Sequence, residues 1–464
     1  MTFYEFLLYL TGWPLALVLF LGGLYFTFRT RFIQFRLFGE SIKVVSEKPV
    51  EKDSVSSFGA LMISTASRVG TGNIVGVSTA ICCGGPGAVF WMWITAILGG
   101  ASAFVESTLA QIYKKKDPDG GSYGGPAYYI EAALNSRVLA IVFAIALIFT
   151  YAVGYNMLAS YNLQSAFAGF SFYNDATPYI IGGIIAVLAL ICLLGGGKRI
   201  GRITGVCVPV MGVMYIVLSL TALVLNAKNL GAMFSMIFAD AFNFKAIFGG
   251  FMGSCIMYGF KRGLYSNEAG IGSAPNAAAA ADVSHPAKQG LVQMLSVFID
   301  TLLLCTATAF MCLCNTSVAP TADVAGAPYV QACLSNTFGA VGPVFIAIAM
   351  LLFAFTTLLG NFYYVENCFA YILRKKPSKL FMTVVRVIGA VLIFLGAIIK
   401  FGTAWDMADI CQCILAFINI PVCIALGGVA YKALDNYVEQ KKAGKNPVYN
   451  AAENGVKIKT DFWN

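Results

Sequence analysis

The chain has 464 residues, of which 58% are hydrophobic and 11% charged, and its formal net charge is +9. A soluble protein carries roughly 25% charged residues. This composition therefore excludes a water-soluble globular protein and requires long apolar segments that face lipid.

Eleven apolar segments are long enough to cross a bilayer, which takes about 20 residues each. The first of them, 5–28, has no basic residue before it and contains Gly12 and Pro14, so we predict a retained helix and not a cleaved signal. Another, 246–281, is interrupted and long enough for two half-helices. The predicted spans are 5–28, 58–83, 87–112, 138–167, 179–196, 203–226, 246–281, 289–313, 341–372, 381–400 and 407–431.

The basic residues give the orientation. If the N-terminus lies outside, the cytoplasmic segments hold 25 of the 31 Lys and Arg, which is a strong positive-inside signal. Those segments are 29–57, 113–137, 197–202, 282–288, 373–386 and 432–464. We therefore predict a multi-pass protein of the cytoplasmic (inner) membrane with a cytoplasmic C-terminus. Topology and contact with anionic membrane lipid then explain the net charge, and nucleic-acid binding is not expected.

The last segment and the single histidine are both predicted to be exposed. Residues 432–464 are polar and contain glycine and proline, so we expect a short mobile cytoplasmic tail. His285 precedes Pro286 in a polar link and is expected to be an exposed loop residue. A zinc site or histidine catalysis is therefore not expected.

A polar stretch interrupts the second span, 58–83. It includes Arg68, Gly70 and Gly72 with several hydroxyl residues, a composition that destabilises a continuous helix. In lipid, the backbone groups freed by a break need partners. The N–H groups at the start of the following half-helix would suit a carboxylate, and freed carbonyls would suit Na⁺ or an ammonium group. The alternative is a glycine-lined contact in an ordinary span, and spacing alone leaves both open.

A second polar stretch, 259–272, contains Lys261 and Arg262. It fits a cytoplasmic loop after a short span, or a second broken helix with halves at 246–260 and 270–281. We favour the broken helix, because the two interruptions fall five spans apart in matching places of two halves, which is typical of a transporter's midplane site.

Further polar residues lie within apolar spans. Thr357 and Asn361 stand four positions apart and should share a helix face. Hydroxyl oxygens suit Na⁺, although threonines within a span more often bond to their own helix. Glu106 and Asp300 are also predicted to be buried, and either could partner Arg68 or Arg262.

Four stretches resemble the alanine/glycine:cation symporter family (sodium:alanine symporters), and the resemblance covers nearly the whole chain. These stretches are RVGTGNIVGV at 68–77, GGPGAVFWMWI at 84–94, GSYGGPAYY at 121–129 and RGLYSNEAG at 262–270. The resemblance implies an all-α integral membrane protein with a LeuT-type inverted repeat of five plus five helices after one extra span. Residues 1–431 would form one transmembrane domain, with the extra helix at 5–28, the first repeat at 58–226 and the second at 246–431.

The resemblance also implies a site and a function. Thr71, Gly72 and Asn73 would hold the substrate carboxylate, and Tyr265, Ser266 and Asn267 would line the opposite side. The Na⁺ site would be formed by the carbonyls of Ala66 and Val69 with Thr356 and Thr357, and Asn73 would serve a second cation position if there is one. The function implied is Na⁺-driven import of alanine, glycine or related amino acids by alternating access.

Two positions depart from the family pattern. Asn361 stands where a tryptophan is usual, and Ala159 stands where a glutamine is usual. Both changes remove bulk, and the first adds an amide. We therefore hypothesise a roomier and more polar pocket, suited to glutamine, asparagine or serine.

Other classes of protein fit less well. A proton-coupled symporter is the nearest alternative, because some members of the family use H⁺. A channel would predict a symmetric oligomer with a filter repeat, whereas this chain offers two breaks and is expected to be a monomer. An enzyme would need a catalytic constellation, and we find no nucleophile motif.

Overall fold

The computed structural model describes residues 2–51, 54–117, 120–243, 254–315 and 317–463. Within those residues the fold is helical, apart from one antiparallel pair of two-residue strands, β1 (Lys115–Lys116) and β2 (Ser122–Tyr123). The helices before residue 243 are α1 Phe3–Leu10, α2 Trp13–Arg29, α3 Ile33–Arg36, α4 Phe38–Val45, α5 Ser57–Arg68, α6 Val75–Gly84, α7 Ala88–Ile112, α8 Pro126–Leu134, α9 Arg137–Ile148, α10 Asn156–Ser165, α11 Thr177–Leu193, α12 Gly196–Leu225 and α13 Leu230–Ala241.

The helices after residue 254 are α14 Cys255–Asn267, α15 Pro275–Ala278, α16 Pro286–Val297, α17 Thr306–Leu313, α18 Ala327–Phe338, α19 Val341–Leu373, α20 Lys379–Ile398 and α21 Phe401–Lys442. Two π-helical segments, Phe149–Tyr155 and Phe298–Cys305, join α9 to α10 and α16 to α17. Such segments often occur at functional sites, and both of these lie beside the breaks described below.

Eight helices in the described part of the chain are long and apolar enough to cross a membrane, and two shorter apolar helices accompany them. These helices fall on the predicted spans. Their lipid-facing sides are apolar, as in α12, whose exposed valines include Val206, Val210 and Val217. The protein is therefore a multi-pass membrane protein. The predicted interrupted span starts at 246, and its residues 246–253 lie outside the described ones.

The first predicted break is present. Helix α5 ends at Arg68, a single 3₁₀ turn spans Thr71–Asn73, and α6 begins at Val75. Gly70 allows this geometry by its small size: a Cβ there would lie 2.0 Å from the hydroxyl oxygen of Thr357 in α19. A larger residue at position 70 would therefore force the break and α19 apart.

The second break is present, but the predicted position is wrong. Lys261 and Arg262 lie inside α14, which continues to Asn267, and the non-helical stretch runs from Glu268 to the start of α15. Glu268 has a left-handed backbone (φ +54°), and Gly270 and Gly272 follow with φ of +91° and +81°. The two basic residues do not break the helix because an acidic partner on α21 pairs with both of them.

The two broken helices meet at one end of the protein. Val55, just before α5, forms a parallel β-bridge with Ala281, just after α15. The backbone N–H of Asp282 donates to the carbonyl of Val55 at 2.9 Å. The start of the first broken helix is thus fastened to the end of the second.

The expectation of a mobile tail is wrong. Helix α21 extends to Lys442, and the C-terminal segment, residues 443–463, packs over the end of α7. The indole N–H of Trp463 donates to the carbonyl of Gln111 at 2.7 Å, and Asp461 pairs with Lys115 at 3.0 Å. Lys114 lies over the ring of Phe462, and burial lowers the pKa of Lys114 to about 8. Aromatic residues near the end of the chain supply the apolar area that a mobile tail lacks.

The prediction of an exposed His285 is also wrong. The side chain is buried at the start of α16, where its Nδ1 accepts the N–H of Ala287 at 3.1 Å. Its Nε2 lies 3.2 Å from the side-chain oxygen of Asn436, and its ring packs against Tyr437 and Tyr449. Burial lowers the pKa of His285 to about 3, so the ring is neutral.

Candidate functional site

The first break exposes backbone groups of both kinds. Within the described residues, no hydrogen bond reaches the N–H groups of Thr71 and Gly72 or the carbonyls of Ala66 and Val69. All four residues are buried. Free donors and free acceptors therefore lie within one short stretch of buried chain, as a zwitterion and a cation together would require.

Asn73 fixes the shape of this break. Its side-chain oxygen accepts the N–H of Gly70 at 2.9 Å, and its Nδ2 donates to Asp300 Oδ1 at 2.8 Å. Its backbone carbonyl accepts from Thr308 at 2.6 Å. Both polar atoms of the Asn73 side chain are therefore bonded within the protein. Asn73 stabilises the conformation of the break and links it to Asp300.

Of the three residues predicted to form the opposite wall, Tyr265 and Ser266 lie against the first break, and no contact among the described residues places Asn267 there. Tyr265 Oη lies 3.3 Å from the hydroxyl of Thr71, and a Cβ on Gly72 would stand 3.1 Å from the Tyr265 ring. Ser266 donates to Asp300 Oδ2 at 2.7 Å, on the far side of Asn73. The Oδ1 of Asn267 accepts the N–H of Ala269 at 3.0 Å, and its Nδ2 has no partner among the described residues.

The two threonines differ in their contacts. Thr357 Oγ1 lies 3.5 Å from the carbonyl of Ser67, at the edge of the break. Thr356 donates to carbonyls of its own helix, at 3.0 Å to Leu352 and 3.1 Å to Phe353, and contacts Met211 in α12. Thr357 therefore lies against the break, whereas the Thr356 hydroxyl donates its hydrogen bond within its own helix.

Asn361 shares the face of Thr357, as its spacing indicates, and meets the same residue. The hydroxyl of Ser67 donates to Asn361 Oδ1 at 2.7 Å, and Asn361 Nδ2 donates to Asn156 Oδ1 at 2.8 Å. Ala159 is buried in α10, one turn beyond Asn156. Sequence reasoning did not identify Ser67 or Asn156 as part of this site, although both are polar residues in apolar spans.

Arg68 is fully buried and forms no ion pair in the described part of the chain. Its Nη1 donates to the backbone and side-chain oxygens of Gln293, at 3.3 and 3.2 Å, while its Nε and Nη2 have no partner there. It interacts electrostatically with the buried carboxylates of Glu106, Glu268 and Asp300. Arg68 therefore supplies positive charge to a region with three buried acidic residues and forms an ion pair with none of them among the described residues.

The partner of Arg262 is an acid that sequence reasoning did not select. Asp409 in α21 binds Arg262 through both oxygens and also pairs with Lys261 at 2.9 Å. The Arg262 guanidinium stacks on Trp405 at 3.8 Å from the ring centroid, and Trp405 contacts Tyr265. A search for acids inside apolar spans would have found Asp409. Among the described residues, neither Glu106 nor Asp300 forms an ion pair with an arginine.

A bundle of apolar helices with two broken members and free backbone groups at one break is typical of a membrane transport protein. Comparison of the sequence agrees: residues 3–451 match the model of the sodium:alanine symporter family. The chain belongs to that family.

Similar proteins carry related names. The chain is 44% identical to the amino-acid carrier protein AlsT of Bacillus subtilis, over 95% of this chain and 92% of that protein. It is 42% identical to the protein of the same organism named "Probable sodium/glutamine symporter GlnT", over 94% and 90%. It is 37% identical to the sodium/alanine symporter AgcS of Methanococcus maripaludis, over 92% and 95%.

A solved structure has a similar fold. A manganese transporter of Eremococcus coleocola aligns over 84% of this chain and 81% of its own, with a TM-score of 0.50 and 12% sequence identity. At that identity the likeness concerns the fold alone. Family membership supports amino-acid symport with Na⁺ as the coupling ion.

Proposed function

We propose that the protein is a sodium-coupled symporter that imports a small neutral amino acid by alternating access. The observation that carries the proposal is the set of free N–H groups at Thr71 and Gly72 beside free carbonyls at Ala66 and Val69. Unpaired backbone groups are costly inside a membrane protein, and bound substrates would satisfy them. The inverted repeat of five plus five helices, with breaks at α5–α6 and α14–α15, belongs to this proposal.

The amino-acid carboxylate would bind the two N–H groups of the first break. They precede α6, whose N-terminal end carries partial positive charge and favours an anion. Tyr265 would close the pocket over Gly72, and the hydroxyl of Thr71, which accepts from Asn162 at 3.1 Å, would line it. Asn73 keeps the break in shape through Gly70 and Asp300, so its contribution is to the geometry of the carboxylate site.

The sodium ion would bind the carbonyl oxygens of Ala66 and Val69 with the Thr357 hydroxyl. Oxygen ligands suit this cation, and unwound carbonyls are its usual partners in broken helices. Thr356 would contribute only a lone pair, because its proton is donated within its own helix. Since Thr71 and Val69 lie on the same short break, binding of ion and amino acid would be coupled.

The ion pair of Arg262 with Asp409 would close the outer face. In the predicted topology α21 begins outside, and Asp409 lies in its first turns. Trp405 and Tyr265 contact each other edge to face beneath this pair, and in the proposal they separate it from the first break. Opening to the outside would require α14 and α21 to part. Each charge moved inward gains about 2.3 kcal/mol per 100 mV, which contributes to the driving force.

The preferred substrate would be polar. Asn156 Nδ2 and Asn162 Oδ1 are buried and have no partner among the described residues. Asn156 also binds Asn361, and Asn162 binds Thr71, so both stand beside the first break. One free amide donor and one free amide acceptor complement the side chain of glutamine or asparagine, and serine would use one of them. Alanine and glycine would leave both unpaired.

Uptake into proteoliposomes tests the proposal. Purified protein is given labelled alanine, glycine, serine, asparagine and glutamine with an inward Na⁺ gradient, a proton gradient, or neither. We expect accumulation with Na⁺ only, and stronger competition by glutamine than by glycine. Accumulation with protons alone would replace Na⁺ by H⁺ as the coupling ion. No accumulation under any cation gradient would overturn the proposed function.

A further inference from the structure

Glu106 of α7 binds the second break. The carboxylate is fully buried; its Oε1 accepts the N–H of Gly270 at 3.4 Å and its Oε2 accepts the N–H of Gly272 at 3.1 Å. The Oε2 also accepts from Asn419 Nδ2 at 2.8 Å. Three N–H donors therefore surround a carboxylate that has no cation within ion-pairing distance in the described part of the chain.

The backbone of the second break is shaped to hold an anion. Gly270 and Gly272 are both left-handed and alternate with ordinary residues, and such alternation turns nearby N–H groups toward one point, which forms an anion-binding concavity. Side chains are excluded there, since a Cβ on Gly272 would lie 2.8 Å from Phe143 and 2.8 Å from Pro126. The side-chain carboxyl group of Glu106 fills this concavity.

Asn419 extends the contact to two more helices. Its Nδ2 donates to the carbonyl of Gly270 at 2.9 Å as well as to Glu106, and its Oδ1 accepts from the Tyr129 hydroxyl at 2.6 Å. Asn419 belongs to α21 and Tyr129 to α8. A single hydrogen-bonded network thus joins α7, the second break, α21 and α8.

We propose that Glu106 is a positioning residue for transport, which permanently occupies the anion site of the second break and holds its shape as the flanking helices move. The inference rests on the proposed function and deepens it. Because Glu106 fills the concavity of the second break, the substrate carboxylate would bind at the first break, to the N–H groups of Thr71 and Gly72. The two breaks therefore have different tasks: the first binds the substrate carboxylate, and the second keeps an internal one.

The test compares Glu106→Gln, Asn419→Leu, the double variant and wild type in proteoliposomes. Binding sites are counted by equilibrium binding of the labelled amino acid that wild type transports, and turnover is expressed per binding site. We expect each single variant to lose at least tenfold in turnover per site, while the dissociation constant changes less than threefold because the first break is intact. A merely structural defect would lower the number of sites and leave turnover per site unchanged.

The network predicts that the two substitutions are not independent. The double variant should be no slower than the slower single variant, since either change disconnects the same contact. Glu366→Gln is the matched control: it removes a partly buried carboxylate that binds Arg386 elsewhere, and should keep more than half of the turnover. If Glu106→Gln gives no binding sites, Tyr129→Phe, which removes one hydroxyl, should still lower turnover per site at least threefold.

Provided that the wild type transports, three results would overturn the inference. The first is a turnover per site above half of the wild-type value in both Glu106→Gln and Tyr129→Phe. The second is a double variant whose loss of turnover is the product of the two single losses, and the third is an equal loss of turnover in Glu366→Gln. Absence of uptake by wild type under every cation gradient would instead overturn the proposed function. The two failures are therefore distinguishable.

Discussion

Arg262 and Asp409 bind each other through two parallel hydrogen bonds, with Nη1 at 3.1 Å from Oδ1 and Nη2 at 2.9 Å from Oδ2. Both side chains are almost completely buried, and Lys261 is the third member of the cluster. The arrangement joins α14, which leads into the second break, to α21. Its loss should affect the stability of the protein and, under the proposed function, the closure of the outer face.

Asp409→Asn should reduce uptake at least tenfold and lower the melting temperature in detergent. The substitution leaves the buried Arg262 and the partly buried Lys261 without a carboxylate, and loss of one partner of a buried pair typically costs about 3–5 kcal/mol. Asp435→Asn, which removes the exposed partner of Arg31, is the control and should leave both measurements near wild type. Normal uptake by Asp409→Asn would show that the ion pair does not contribute to transport.

Gly70→Ala should abolish sodium-dependent uptake. The new methyl group would lie 2.0 Å from the Thr357 hydroxyl oxygen, so either the break or α19 must move. Gly212→Ala in α12 adds the same group where, apart from the adjoining backbone of α12, no atom of the described residues lies within 4 Å, and should transport normally. Equal uptake by the two variants would mean that the close approach of the break to α19 is not needed.

Thr357→Val should raise the Na⁺ concentration for half-maximal uptake at least tenfold, because it removes the hydroxyl that adjoins the free carbonyls. Thr356→Val preserves the same shape and should change this concentration less than threefold, since the Thr356 hydroxyl bonds to its own helix. Initial rates measured over a range of Na⁺ concentrations give both values. Equal shifts in the two variants would assign both threonines to the ion.

Asn361→Leu should change the substrate preference. It removes the acceptor of Ser67 and the donor to Asn156, both beside the first break. We expect the ratio of glutamine to alanine uptake, each as Vmax/KM, to fall at least tenfold. Asn226→Leu, at the end of α12, is a control that should leave this ratio unchanged. An unchanged ratio in Asn361→Leu would exclude Asn361 from selectivity.

Acid should destabilise the contact between α16 and α21 through His285. Burial lowers the pKa of His285 to about 3, against an ordinary value near 6.5. Below pH 6.5 the unfolded chain therefore binds a proton that the folded chain does not, and stability falls as pH falls, by about 1.4 kcal/mol per pH unit at most. Lys288, the nearest cation, opposes protonation further.

The melting temperature of wild type and His285→Gln at pH 8 and pH 5 checks this dependence. Wild type should be more stable than the variant at pH 8, where the ring binds Ala287 and Asn436. The difference should shrink or reverse at pH 5. A difference that stays constant between the two pH values would contradict a buried neutral histidine.

The features that the sequence predicts correctly depend on residues that are close together in the chain. The break before Thr71 follows from glycine and hydroxyl residues within an apolar run, and the helix ends confirm it. The second break was misplaced because Lys261 and Arg262 look incompatible with a buried helix. Their partner lies 147 positions further along the chain, counted from Arg262, and no local pattern reveals it.

The errors at His285 and in the C-terminal segment have the same cause. His285 is buried because α21 supplies Asn436 and Tyr437, and Trp463 is fixed by a backbone carbonyl at Gln111. Each partner is distant in sequence. Local composition is polar in both places, so only the tertiary structure identifies the burial. Ser67 and Asn156, which both bind Asn361 beside the first break, also depend on contacts that are distant in sequence.

The bridge between Val55 and Ala281 offers one backbone amide whose exchange would report motion between the two broken helices. Among the described residues, the N–H of Asp282 donates to the Val55 carbonyl across the junction of the two broken helices. Its exchange with deuterium is therefore limited by how often these ends separate, and not by unfolding of the helices around it. Deuterium uptake by a peptide that contains Asp282 would measure how often the Val55–Asp282 hydrogen bond opens in the native protein. The measurement can be repeated as sodium and amino acid are added.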